Sequence, residues 1–219
     1  MSESWLTWQL IDSAFPTGAF AHSAGLEAAW QAGEVPDEAA LRRFLSASIM
    51  QAGHAGLPLV TAAYTDPARL AELDGLCDAF LTNAIANRAS RVQGRAFVAT
   101  CARTWPSHGL NAVIDSLHEI CGHYPPLFGV STALLHVPLA TAQRVFLFTT
   151  ARSVLAAAVR LGIAGSYQAQ RLQHECAVDL DAVLARCSGL DDRDLAQTAP
   201  IIDLLQSTHD RVYSRLFQS

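Results

Sequence analysis

Apolar residues return at steps of three and four through most of this chain. Nearly every break in that rhythm is marked by proline, glycine or a capping acid. Asp37 stands ahead of Leu41, Phe44, Leu45 and Ile49, a helical face with its cap in place. Pro58 opens a segment over 59–65, and Asp66-Pro67 joins a cap to a first-turn proline before Leu70, Leu73, Leu76 and Phe80. A long helix follows through Arg88 to Arg103, closed by Trp105-Pro106. Another covers 107–121 and stops at Gly122 and Tyr124-Pro125-Pro126. Pro138 starts the most apolar helix, which runs to Leu161-Gly162; beyond Gly165 a helix spans 168–187, and a polar turn occupies 188–192. The last helix begins near Pro200 and reaches about Phe217. No Asn-Gly or Asp-Gly hairpin between alternating runs, no repeat and no low-complexity linker interrupts the pattern. The expectation is an all-α fold, a single globular domain of roughly ten helices over 1–219, with a C-terminal partner-binding tail at about 200–219.

The densest cluster of turn residues lies near the start, in Ser13-Ala14-Phe15-Pro16-Thr17-Gly18-Ala19-Phe20-Ala21-His22-Ser23-Ala24-Gly25-Leu26-Glu27. Pro16 fixes its own φ and pushes Phe15 towards extended backbone, while Gly18 tolerates a positive φ. Ser23 can cap a helix whose first turn carries Glu27 at the positive end of the dipole. His22 and Glu27 would flank that bend. The same residues would also serve as a plain helix–loop–helix corner, with Phe15 and Phe20 in the core.

Composition narrows the chemistry. The chain of 219 residues is 51% hydrophobic and 16% charged, which favours packed helices and surface that a partner covers. A net charge of −5 argues against broad nucleic-acid binding. All 15 cationic side chains are arginine. Without lysine there is neither a Walker-type phosphate loop nor a Schiff base, so P-loop NTPases and lysine-dependent aldolases or pyridoxal enzymes are excluded. Five cysteines without a C-x-x-C pair fit a reducing compartment better than a disulfide framework. The N-terminus lacks the basic leader of a signal peptide, and Arg152 and Arg160 interrupt the longest apolar run. The expected location is cytoplasmic.

Three constellations remain. Arg88, Arg91 and Arg95, at i, i+3 and i+7, align on one helix face beside Gly94, where a second backbone could approach. Such a stripe suits a solvated or internally paired face first, a protein-docking face next, and a nucleotide or RNA phosphate site least, given the overall charge. His118, Cys121 and His123 bring three soft-metal ligands into six residues. A closed zinc site wants a fourth ligand, which would have to come from a distant residue such as Cys101 or His136. No G-x-S-x-G elbow supports nucleophilic catalysis, and Asp191, Asp192 and Asp194 read as a capping cluster. Finally, Ile202, Leu205, His209, Val212 and Leu216 recur at helical steps, with Tyr213 and Phe217 widening the ridge and Arg211 and Arg215 flanking it with bidentate donors. A last helix docked on its own core accounts for 200–210; large apolar residues beyond it favour a partner.

Ser13, Pro16, Gly18, Phe20, Ser23, Gly25, Leu26 and Glu27 fall in step with the signature S-x-x-P-x-G-x-F/Y…S-x-G-L-E. Arg88-Ala89-Ser90-Arg91-Val92-Gln93-Gly94-Arg95, then His123-Tyr124-Pro125-Pro126-Leu127-Phe128-Gly129, then Gln168-Ala169-Gln170-Arg171 follow in order, and the tail from Gln206 to Phe217 completes the set. In these segments the chain resembles the UreF urease accessory proteins. Ala19, where many members carry a second glycine, is the one departure. The resemblance implies a non-catalytic helical homodimer that binds UreD (also called UreH) and the GTPase UreG and helps deliver nickel to apo-urease. GTP hydrolysis would belong to UreG. On this reading His22 and Glu27 face UreG; Arg211, Tyr213, Arg215, Leu216 and Phe217 form the UreD tail; and Arg88, Arg91 and Arg95 make a docking or dimer stripe. No catalytic residue, cofactor, metal ligand, nucleic acid or membrane contact is assigned.

Overall fold

Caps and prolines start the helices. In a computed structural model describing residues 3–18, 21–209 and 216–218, the first helices are α1 (Glu3–Leu10), α2 (Leu26–Gln31) and α3 (Glu38–Gln51). Asp37 caps α3 by accepting the Ala40 N–H at 2.8 Å. A π-helical turn, Ala52–Gly56, joins α3 to α4 (Leu57–Thr65) without a break, although Pro58 was expected to open a separate element. Pro58 sits in the first turn of α4, where its missing N–H costs nothing. Asp66 caps the 3-10 turn Pro67–Arg69 that leads into α5 (Leu70–Phe80). Asn83 caps the long α6 (Ala84–Thr104) through the Ile85 and Ala86 amides.

The segment 107–121 holds only the short α7 (Leu110–Ser116), entered through Gly109. Tyr124-Pro125-Pro126, read as a stop, instead starts α8 (Tyr124–Leu134), because both prolines fall in the first turn, where no amide donor is needed. The apolar α9 (Leu139–Arg160) follows Pro138 as expected. The helix expected over 168–187 is two, α10 (Ser166–Glu175) and α11 (Ala177–Cys187), hinged at Cys176. The last helix among the described residues, α12 (Pro200–Ser207), covers the first part of the span expected to reach Phe217, of which 210–215 lie outside the described residues. No strand occurs among the described residues.

One contiguous core joins these elements. α8 crosses both α4 and α6, and α9 packs on α3, α4, α10 and α11. Where α6, α8 and α9 meet, Phe97, Tyr124, Phe128 and Phe146 form an aromatic cluster with ring centroids 5.2–5.8 Å apart. Phe15 joins its edge by stacking on Trp105. Gln168 and Arg171 both donate to Glu38, tying α10 to α3. No helix among the described residues is long and apolar enough to cross a membrane.

Among the glycines, the closest approach to another stretch of backbone is at Gly94 of α6. A Cβ there would lie 2.3 Å from the Gly122 carbonyl oxygen and 2.7 Å from the Tyr124 nitrogen. The close backbone approach expected at this glycine is therefore made by the chain's own 122–124 turn. Gly94→Ala should cost about 1–3 kcal/mol by forcing the crossing apart. Exposed Gly75, in the interior of α5 with nothing within 4 Å of its would-be Cβ, gives the contrast: Gly75→Ala should gain about 0.5–1 kcal/mol. Thermal unfolding of the two variants should shift in opposite directions.

Candidate partner-binding site

The N-terminal loop and the C-terminal segment meet at Glu27. Gly25, at φ 84°, occupies the N-cap of α2, the place expected for Ser23. The left-handed residue turns the chain so that Glu27, in the first helical turn, points inward and is 1% exposed. Its Oε2 lies 3.0 Å from His209 Nε2, just beyond α12, and accepts the Phe217 amide at 3.2 Å; Oε1 accepts the Leu216 amide at 2.7 Å. Because a carboxylate only accepts, His209 Nε2 is the donor, which assigns the ring proton to that nitrogen. A second tie follows, from the Gln218 amide to the Ala21 carbonyl at 2.8 Å.

Phe217 is packed within this chain's own core. It is 5% exposed, with the Arg160 guanidinium 4.1 Å from its ring centroid. It borders a groove of about 460 Å³ shared with Phe15, Pro16, His22, Arg152 and Arg160. Leu216 is 61% exposed. His22 stays half-buried, and burial, then Arg88, then His209 push its imidazole below the ordinary value. The structure thus gathers His22, Glu27, His209, Leu216 and Phe217 into one node. Arg211, Tyr213 and Arg215 lie outside the described residues, as does Phe20.

The arginine stripe divides. Arg88 acts electrostatically on His22. Arg91 lies near enough to Cys121 to favour its thiolate. Arg95 donates to the Leu117, Ile120 and Cys121 carbonyls at 2.9–3.1 Å, closing the segment beyond α7.

That segment holds a second node, for which Asp74 and Asp78 were not foreseen. Asp74, 1% exposed on α5, accepts the Cys121, Gly122 and His123 amides at 2.6–3.1 Å. One helical turn on, Asp78 Oδ1 lies 3.1 Å from His123 Nε2 and accepts from Asn87 at 2.9 Å. Asn87, then His123, hold the Asp78 carboxyl below its usual range, while burial raises the Cys121 thiol. His123 Nδ1 sits 3.1 Å from Ser90 Oγ, which also accepts the Tyr124 amide at 3.2 Å. Serine, histidine and aspartate stand in line as in a hydrolase triad. Here, however, the imidazole is fully buried and the hydroxyl is held against backbone, so the array clamps helices. Of the expected His118/Cys121/His123 group, exposed His118 turns instead to the Asp115 carbonyl and to Glu119. The signal available in sequence was the pair Asp74 and Asp78 at i, i+4, two acids beside the apolar Leu70, Leu73 and Cys77.

The sequence model of the UreF family matches residues 35–177. A protein of Oryza sativa subsp. indica named urease accessory protein F is 36% identical over 97% of this chain and 84% of its own length. An Arabidopsis thaliana protein of that name is 36% identical, with 98% and 92% covered. The urease accessory protein UreF of Rhodopseudomonas palustris (strain BisB5) is 33% identical, with 98% and 89% covered. The Asp74 and Asp78 node lies inside the matched region and the Glu27 node outside it, while the relatives cover 97–98% of the chain. The chain belongs to the UreF family of urease accessory proteins.

Proposed function

We propose that this chain is a non-catalytic scaffold of urease maturation: a cytoplasmic homodimer that joins UreD/UreH and the GTPase UreG and so helps deliver nickel to apo-urease. The observation that carries the reading is the meeting at Glu27. The Gly-Leu-Glu segment and the C-terminal tail, the two stretches assigned to different partners, are joined by one carboxylate. Release of the tail for UreD/UreH therefore also frees Glu27 and alters the loop around His22. Glu27 gates the UreG face through that coupling, since its own side chain is buried.

Surface chemistry supports a covered state. Ile201 and Leu204 on α12 are 71% and 68% exposed, and Trp5 and Trp8 on α1 are 68% and 65% exposed. All five cysteines are free, as a reducing compartment requires. The commitment of Arg95 to backbone carbonyls takes one guanidinium out of any phosphate-binding stripe, which counts against a nucleic-acid module.

Size exclusion with light scattering on the chain co-expressed with UreD/UreH and UreG should give two copies of each subunit, and a form ending at Ala199 should lose UreD/UreH. If the full-length chain elutes alone while both partners are folded, the scaffold reading fails. Arg215→Ala with Phe217→Ala should abolish UreD/UreH binding with helical circular dichroism retained; unchanged affinity would refute the tail assignment.

Glu27→Gln should loosen the tail, because hydrogen bonds to a charged acceptor contribute about 1.5–3 kcal/mol. Amide exchange at Leu216 and Phe217 should then accelerate by about tenfold or more. Urease activation should change while the homodimer persists. Wild-type exchange and activation would reject the gate.

A further inference from the structure

We propose that Asp78, Cys121 and His123 form a three-ligand site for a borderline-soft divalent cation of the Zn²⁺, Co²⁺ and Ni²⁺ class. The inference stands on side-chain geometry and does not depend on the urease reading.

A carboxylate oxygen, a thiol sulfur and an imidazole nitrogen, one from each residue, all lie within 4.8 Å of one another. Tetrahedral coordination at ordinary zinc bond lengths places donors about 3.3–3.8 Å apart, so a shift of about 1 Å suffices. The imidazole and carboxylate are already at 3.1 Å. This mixed N, S, O set excludes Ca²⁺ and Mg²⁺, which take oxygen shells.

The framework is built beforehand. Three amides bound to Asp74 fix the backbone of 121–123, so Cys121 and His123 are carried on a rigid turn. Asn87 orients Asp78. Ser90 meets the other imidazole nitrogen and can act in either sense. With the metal absent its hydroxyl donates to Nδ1 and Nε2–H donates to Asp78. With the metal bound Nδ1–H donates to Ser90 Oγ and Nε2 turns its lone pair to the cation. Such an outer partner is what orients a metal-binding histidine. The Asp78 side chain is 43% exposed and Cys121 is half-buried, which leaves an approach from solvent and an open fourth position.

Charge also balances. Binding forms a metal–sulfur bond and releases the Cys121 thiol proton to solvent. The dication then meets one thiolate and one carboxylate, and Arg91 lies near enough to favour the thiolate.

The test uses the full chain, reduced and stripped with chelator, titrated with Co²⁺ by absorption and with Zn²⁺ by calorimetry. One Co²⁺ per chain should give tetrahedral visible bands and a thiolate charge-transfer band in the near ultraviolet. Cys121→Ser should remove the charge-transfer band, and Asp78→Asn should weaken Zn²⁺ binding by about tenfold or more. His118→Ala should change neither. Thermal unfolding of each variant checks that it is folded, and exposed Asp78 carries the test if Cys121→Ser is not. Wild-type binding weaker than about 100 µM would overturn the proposal. So would a charge-transfer band that survives in Cys121→Ser, or a loss in His118→Ala as large as in Asp78→Asn.

Discussion

A carboxylate buried without a cation beside it must spread its charge over hydrogen-bond donors, and this fold meets that demand with backbone amides from a distant stretch of chain. Asp74 on α5 captures three successive amides of the 121–123 turn, 47 to 49 residues away. Much of the interior depends on it. The captured turn passes against Gly94, its carbonyls receive Arg95, and it delivers Tyr124 and Phe128 into the aromatic cluster that joins α6, α8 and α9. Loss of the Asp74 acceptor would leave three buried amides without a partner at the crossing that admits no displacement.

Glu27 repeats the device at the edge of the molecule, over a separation of 189 and 190 residues, with opposite consequences. The Asp74 turn is fixed on three sides, by carboxylate, by Arg95 and by the Gly94 contact. Among the described residues the tail segment is held by the Glu27 acceptor, a backbone bond from Gln218 to Ala21, the Arg160 guanidinium donating to the Leu216 carbonyl at 3.5 Å, and the Phe217 ring beneath Arg160. One polar strategy therefore serves a turn fixed on three sides in one place and, on the proposed reading, a releasable latch in the other.

Most of the helical frame could be read from the sequence because caps and prolines act locally. Asp37, Asp66, Pro138 and Pro200 each stand where a helix starts, and no tertiary information is needed to place them. The errors arose where one residue type permits two outcomes. Proline ends a helix from its interior and starts one from its first turn, so Tyr124-Pro125-Pro126 was read as a stop while the apolar run behind it was α8. Periodicity likewise continues through the bend at Cys176, because the apolar face is kept on both sides. Glu27 looked like a surface residue since an acid in a first turn satisfies the dipole; its long-range donors, His209, Leu216 and Phe217, have no local signature. Asp78 escaped for the same reason: spacing placed His118 near Cys121, but the chain folds Asp78 there instead.

α12 shows how far periodicity can be taken. Its inward residues Ile202 and Leu205 pack on the core, as steps of three and four require. Ile201 and Leu204, one position earlier in each case, point out at 71% and 68% exposure, so the helix is apolar on two faces while the described residues cover only one. An exposed apolar face of this kind is suited to a covering layer, which the proposed partner would supply. The uncovered face adjoins the helix end that carries His209, the donor that reaches Glu27. A partner seated on α12 would therefore bear directly on the latch, and tail release and partner docking become one structural event.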